Sequence, residues 1–184
     1  MIPKIIYLLI LFVGLNTGLV AQKYFTKNGR ISFFSKTSLE NIKAENNQVI
    51  NVLNTQSGLI QFSLIVKNFH FEKSLMEVHF NENYMESGRF PYAGFKGTII
   101  NLADVSFDKD GIYPVRVTGD MTIHGMVKKV DATGTITITG GKLSLASKFF
   151  IKITDYNISI PKLVIDKIAE SIEVNVQTNF DQKM

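Results

Sequence analysis

A long stretch of alternating apolar and polar side chains, from Gly111 to Asp155, constrains this chain more than any other feature. Side chains along a β-strand point to opposite faces at every second residue, so an alternating segment is typical of a strand with one buried face. In the first segment the apolar side chains share one parity: Val115, Val117, Met121 and Ile123. The pattern therefore predicts a strand whose buried face points one way throughout.

The same period returns after the turn sequence Thr139-Gly140-Gly141-Lys142. The apolar parity there holds Leu143, Leu145, Phe149, Ile151 and Ile153. Three long strands joined by short turns, without a helix between them, pair antiparallel. The stretch therefore predicts a β-meander.

Further alternating segments occur at regular intervals. Residues 49–53 and 59–66 predict a hairpin about the turn at 54–58, with Ile60, Phe62, Leu64 and Val66 on one parity. Asn28-Gly29 predicts a tight turn before a strand, and the polar stretch 37–48 predicts a connection carrying at most a short strand. Strands are also predicted around Phe95 and over residues 171–180, the latter closing the sheet.

The period changes at Ser74. Ser74 and Glu77 have the spacing of a capping box, and Met76, Phe80 and Tyr84 recur every four residues, on one helical face. This predicts a helix of about three turns ending before Ser87. Its apolar stripe covers either the mouth of a barrel, as a lid, or the outer wall. A short second helix is predicted to begin at Pro161.

About eight strands without repeated crossover helices predict an all-β fold, a single antiparallel eight-stranded barrel with these two helices. A β-sandwich is the structural alternative. The barrel is favoured because closure removes the exposed strand edges that long apolar strands would otherwise present. We assign residues 22–184 to this one domain.

Residues 1–21 have the pattern of a secretory signal peptide, with Lys4 near the start, an apolar run from Ile5 to Leu15 and the small residue Ala21 near the end. The alternative is an uncleaved membrane anchor. The chain has no cysteine, which excludes a lipoprotein anchor and any disulfide. We expect a periplasmic or secreted protein.

The net charge of +4 is spread through the whole chain. No basic cluster predicts nucleic-acid binding. A mildly basic, mixed surface is compatible with a transient membrane contact, although it is also typical of an ordinary solvated surface.

The three histidines are the candidates for metal chemistry. His70, His79 and His124 have no partner histidine or cysteine at ligand spacing, so neither a metal site nor a catalytic residue is predicted. Nucleophile-elbow and phosphate-loop sequences are also missing from the sequence. His124 precedes Gly125 at a strand end, where an imidazole commonly bonds turn backbone. We expect no enzyme.

The run Val117-Thr118-Gly119-Asp120-Met121-Thr122-Ile123-His124-Gly125-Met126-Val127-Lys128 resembles the signature of the YceI-like family. Residues 149–161 resemble that family's second landmark, which includes Asp155-Tyr156, and residues 69–95 resemble the form found in Bacteroidetes-type members. The resemblance implies a lipocalin-like barrel enclosing a long apolar cavity. It also implies binding of polyisoprenoid chains, such as those of quinones or polyprenyl phosphates.

The sequence therefore predicts an exported, non-enzymatic protein that holds a polyisoprenoid or other long-chain lipid, an isoprenoid quinone being one candidate, and that needs no other cofactor. The alternatives are a filled barrel acting as a structural or interaction module and a histidine-dependent metal protein. Apolar residues on the inward strand parity and on the helical stripe are predicted to contact the ligand: Phe62, Leu64, Met76, Phe80, Tyr84, Phe95, Val117, Met121, Ile123, Leu145, Phe149 and Ile151.

Overall fold

The computed structural model describes residues 22–184, so the predicted signal peptide lies outside the described residues. The strands are β1 Lys23–Lys36, β2 Asn41–Asn54, β3 Leu59–Ile65, β4 His70–Phe71, β5 Tyr92–Ile99, β6 Gly111–Ile123, β7 Met126–Thr139, β8 Lys142–Lys152, β9 Ser171–Asn179 and β10 Gln182–Lys183. Helix α1 is Ser74–His79 and continues as a π-helical turn, Phe80–Tyr84. Short 3-10 turns are Val66–Asn68, Leu102–Asp104, Ile153–Tyr156 and Lys162–Lys167.

Eight of these strands form a closed antiparallel barrel in the order β1-β9-β8-β7-β6-β5-β3-β2, and β2 pairs back onto β1 along its length. The two-residue strands β4 and β10 pair with β2 and β1. The prediction of a barrel rather than a sandwich is confirmed. Closure satisfies strand edges that an open sheet would leave unpaired.

The predicted meander forms the β6–β7–β8 part of this barrel. Val115, Val117 and Met121 are buried, whereas Arg116 and Thr118 between them are exposed. The hairpin between β7 and β8 turns on two glycines with positive φ, Gly140 and Gly141, as the turn sequence predicts.

The polar stretch 37–48 was predicted as a connection, and the structure corrects this. β2 begins at Asn41 and pairs with β1 from Asn41↔Lys36 onward. Asn46 is fully buried, and its side-chain amide donates to the Ile65 carbonyl at 3.0 Å. Pairing with β1 and this internal hydrogen bond outweigh the low strand propensity of asparagine.

Asn28-Gly29 is not a turn. It lies inside β1, where the register with β2 shifts on both sides of Gly29, which is a β-bulge. A Cβ atom at Gly29 would lie 2.1 Å from the Asn51 side-chain amide nitrogen. A side chain at this position would have to displace the Asn51 amide, which favours glycine.

The ladder between β7 and β8 ends at Gly134 and Ser147, although both strands continue beyond that point. The 3-10 turn Ile153–Tyr156 lies against β7 in this region, and the Asn157 side chain contacts the Met126 sulfur at 3.4 Å. This end of the barrel is therefore partly closed by a loop instead of by strand pairing.

The two ends of the barrel interior are packed differently. At the end where β6 begins, the interior is filled by side chains that are at most 3% exposed: Leu53, Ile99, Val115, Ile136 and Leu143. At the opposite end, where β6 finishes, inward side chains such as Phe62, Ile123 and Phe149 are partly accessible. The fold thus leaves space inside one half of the barrel.

Candidate functional site

The open half of the barrel holds a cavity of about 460 Å³. It opens where β1, β3, β6 and β8 finish and where β2, β5 and β9 begin. Its wall is mostly aliphatic and aromatic, and this volume lies within the range of roughly 300–1,000 Å³ typical of small-molecule pockets.

A helical segment lies across the opening. We call residues 74–84, which comprise α1 and the π-helical turn, the mouth helix. Met76, Phe80 and Tyr84 all line the cavity, while Val78 on another side of the helix is 45% exposed. The predicted stripe is therefore turned toward the barrel mouth and not toward the outer wall.

Phe80 anchors the mouth helix in a cluster of aromatic rings. Its ring centroid lies 5.5 Å from Phe33 in a stacked arrangement, 5.6 Å from Phe69 and 5.0 Å from Phe71. These distances are those of favourable aromatic pairs. The mouth helix is thus attached to β1 through Phe33 and to the segment that precedes the helix through Phe69 and Phe71. These rings also line the cavity.

The predicted capping box does not form. Lys73 is the N-cap residue, without a side-chain capping bond, so Ser74 is already helical. The Glu77 carboxylate instead accepts a hydrogen bond from the Phe71 backbone N–H at 3.2 Å. This hydrogen bond therefore connects the first turn of the mouth helix to β4.

The structure brings nine of the twelve predicted contact residues to the cavity wall: Phe62, Leu64, Met76, Phe80, Tyr84, Met121, Ile123, Phe149 and Ile151. The other three point inward but are buried: Phe95 lies between its cross-strand partners Phe62 and Met121 at the depth of the cavity, whereas Val117 and Leu145 lie toward the filled end. Phe95 stacks on Phe62 with centroids 5.5 Å apart. Strand parity assigns an inward direction but not a depth along the barrel, and ligand contact by these residues stays a prediction.

The sequence reasoning missed a large part of the wall. Phe33 and Ile42 line the cavity from β1 and β2, and Phe69 and Phe71 line it from around β4. In β1, phenylalanines at 33 and 34 fall on both parities, which hides the inward face. A two-residue strand such as β4 is too short to show any period.

The rim of the cavity carries charge. Lys73 Nζ lies 2.7 Å from the Glu40 carboxylate, and His79 and Lys167 also line the cavity. The hydrogen bond from Lys73 and its positive charge lower the pKa of Glu40, and the charge of Lys167 acts in the same direction. The same hydrogen bond raises the pKa of Lys73.

The three histidines have separate surroundings. His70 lies 3.6 Å from Glu77, His79 is at the cavity rim, and His124 is buried near Glu86. Across residues 22–184 no group of three or more histidine, cysteine or acidic side chains is arranged to hold a metal ion. Burial, with a smaller effect of the Asp155 charge, raises the pKa of the Tyr156 hydroxyl next to the His124 site.

The model of one protein family, the YceI-like domain, matches residues 19–180. The chain belongs to the YceI-like family. A search of curated proteins gives no match. None of the helices within the described part of this YceI-like domain is long and apolar enough to span a membrane.

Solved structures share the fold of this YceI-like domain at low sequence identity. A polyisoprenoid binding domain from Saccharophagus degradans, implicated in plant cell wall breakdown, is 13% identical, with a TM-score of 0.75 over 88% of this chain and 98% of that one. BcnA from Burkholderia cenocepacia is 15% identical, with a TM-score of 0.67 over 81% and 94%. A YceI protein from Campylobacter jejuni is 16% identical, with a TM-score of 0.59 over 80% and 90%. The Bacteroidetes-type form of residues 69–95 stays a prediction.

Proposed function

We propose that this YceI-like domain is an exported, non-enzymatic protein that binds a polyisoprenoid or another long-chain lipid, with an isoprenoid quinone as one candidate. One observation carries the proposal: an apolar cavity of about 460 Å³ that opens under the mouth helix. A flexible apolar tail is the ligand class that such a wall can desolvate without leaving buried polar groups unpaired.

Burial of the tail drives binding. Each buried CH₂ contributes about 0.8 kcal/mol, so about ten of them contribute roughly 8 kcal/mol before the costs of association. Those costs are several kcal/mol for lost translational and rotational freedom, and more for ordering the tail. Net affinity in the micromolar range or tighter therefore requires a long tail and favours polyisoprenoids over short acyl chains.

Two further observations support the proposal. The related structure from Saccharophagus degradans is itself described as a polyisoprenoid binding domain. The sequence of residues 1–21 has the pattern of a signal peptide, which agrees with a periplasmic or secreted protein that carries an apolar ligand through water.

A transient membrane contact follows from the surroundings of the mouth. Leu39 and Leu75 are each 65% exposed and Leu163 is 96% exposed, and each lies on or next to a cavity-lining residue. Aliphatic side chains that flank an apolar opening are suited to insertion among lipid headgroups. We propose that the mouth faces the bilayer during uptake or release of the ligand.

The test is native mass spectrometry of protein purified under mild conditions from its own host. A mass increment that chemical extraction identifies as a long-chain lipid supports the proposal. Delipidated protein should then rebind that lipid with a one-to-one stoichiometry. Repeated absence of a bound lipid, together with no rebinding of added polyprenol or quinone, would favour a structural or interaction module instead.

A further inference from the structure

Phe95 lies at the inner end of the cavity. Its cross-strand partners Phe62 and Met121 both line the cavity, whereas Phe95 itself is only 7% exposed. The ring of Phe95 stacks on that of Phe62, with 5.5 Å between the centroids and an angle of 23° between the ring planes. Phe95 is therefore packed behind side chains that form the cavity wall.

Two glycines follow immediately beyond Phe95, toward the filled half of the barrel. Gly97 lies two residues after Phe95 on β5, and Gly119 lies two residues before Met121 on β6, so both have the inward parity of these neighbours. The two glycines are cross-strand partners of each other. They bring no side chain into the interior, and neither of them lines the cavity.

The Phe95 ring occupies the space that the two glycines leave. A Cβ atom on Gly97 or on Gly119 would overlap Cζ of Phe95, so the tip of the ring lies against the backbone of both strands. Beyond this point the interior is filled, since Ile60 and Val117 are at most 9% exposed and do not line the cavity. On this side of the barrel, one side chain thus separates the cavity from space over the glycine backbone.

We propose that Phe95 sets the depth of the cavity and thereby the length of lipid tail that the protein buries. The inference rests on the proposed function, because a depth limit matters only if the tail occupies the cavity. Affinity should rise about fourfold for each further CH₂ group that is buried, until the end of the tail reaches the Phe95 ring. Carbon atoms beyond that length stay outside the mouth and add little affinity.

Phe95→Ala should make the cavity deeper. A large-to-small substitution in a core leaves a void because the surroundings relax only partially, and an apolar void stays dry and binds apolar groups. A benzyl side chain is similar in size to an isoprene unit, so the buried part of the tail should lengthen by about one unit. Phe95→Leu keeps more of the packing and should lengthen the buried part by less.

The test uses a series of prenols that lengthens by single isoprene units from geraniol to solanesol. Each displaces a fluorescent lipid from the delipidated protein, which gives its dissociation constant. We expect the affinity of the wild type to level off at a limiting length, and that of Phe95→Ala to level off about one isoprene unit later. The first prenol beyond the wild-type limit should bind Phe95→Ala at least about tenfold tighter than it binds the wild type.

Ile136→Ala is the matched control, since Ile136 is fully buried in the filled half and does not line the cavity. It should lower stability and leave the limiting length unchanged. Thermal melts show which variants fold. If Phe95→Ala does not fold, Phe95→Leu decides the question by a smaller shift in the same direction.

Three results would overturn this role of Phe95 while the lipid-binding function stands. They are a limiting length that the Phe95 variants leave unchanged, an equal shift in Ile136→Ala, and a wild-type affinity that rises through the whole series. If no prenol of any length binds the wild type, the proposed function fails, and the depth limit fails with it.

Discussion

His124 Nε2 lies 3.1 Å from Glu86 Oε1, and both residues have a positive φ, 50° and 42°. On its other side, His124 Nδ1 donates to the Tyr156 carbonyl at 3.0 Å, and the next residue, Asn157, has a φ of 54°. These are the three non-glycine residues with positive φ in the part of the chain that the structure describes. Such conformations cost roughly 1–3 kcal/mol each and persist where surrounding contacts fix them.

The contacts of His124 join three segments around the cavity mouth. Glu86 follows the mouth helix, His124 lies in the β6–β7 turn, and Tyr156 ends the Ile153–Tyr156 turn. Replacing the buried His124 with alanine leaves the Tyr156 carbonyl unpaired, so His124→Ala should lower the free energy of unfolding by about 2 kcal/mol. Urea denaturation measures this. Glu86→Gln keeps a polar group that can pair with His124 Nε2 and should cost less than about 1 kcal/mol. Equal losses in both variants would contradict a central role for the imidazole.

Two adjacent phenylalanines on β8 give a matched test of the cavity. Phe149 lines the cavity, whereas Phe150 is 63% exposed on the outer face. A charge in the apolar wall opposes burial of a lipid tail, so Phe149→Asp should weaken lipid binding by at least about tenfold. Phe150→Asp should leave both binding and stability within about 0.5 kcal/mol of the wild type. Fluorescent-lipid titration distinguishes them, and similar damage from both would mean that the tail does not contact this wall.

Phe80 tests whether the mouth helix controls ligand exchange. Its ring is only partly buried, so Phe80→Ala should cost less than the roughly 3–5 kcal/mol of a fully buried phenylalanine. Loss of the ring contacts to Phe33, Phe69 and Phe71 should accelerate lipid exchange several-fold, because motion of a covering segment sets access to a closed site.

Val78→Ala serves as the control on the exposed side of the mouth helix and should change neither exchange nor stability appreciably. Thermal melts and stopped-flow lipid transfer on both variants are the measurements. A large loss of stability in Phe80→Ala without any change in exchange would show that the helix is a fixed wall.

Leu163 tests the membrane contact. It is 96% exposed, so Leu163→Glu should not affect folding, but it should slow lipid transfer from anionic vesicles several-fold by opposing insertion of the mouth. Ile112→Glu is the control, because Ile112 is 72% exposed at the opposite end of the barrel, where β6 begins. Equal slowing in both variants would point to a general charge effect.

The strand pattern could be predicted because a period of two residues is a local property. The inward parity of Val115, Val117 and Met121 and the Gly140-Gly141 turn agree with the structure. The predicted turn at Asn28-Gly29 is wrong, because Gly29 lies in a β-bulge inside β1. The predicted connection over residues 37–48 is also wrong, because β2 begins at Asn41. Both depend on pairing between β1 and β2, which a local pattern does not contain.

The sequence by itself determined the barrel class, the inward side of most strands and a helix with one apolar stripe, since each depends on side-chain alternation and on turn residues a few positions apart. Tertiary structure alone decided which half of the barrel stays open, because Val117 and Leu145 have the same parity as cavity residues and differ from them in depth. The tertiary structure also brings Glu40 into contact with Lys73, and Glu86 into contact with His124. These partners are 33 and 38 residues apart in the chain, and only the closure of the barrel and the placement of the mouth helix bring them within hydrogen-bonding distance.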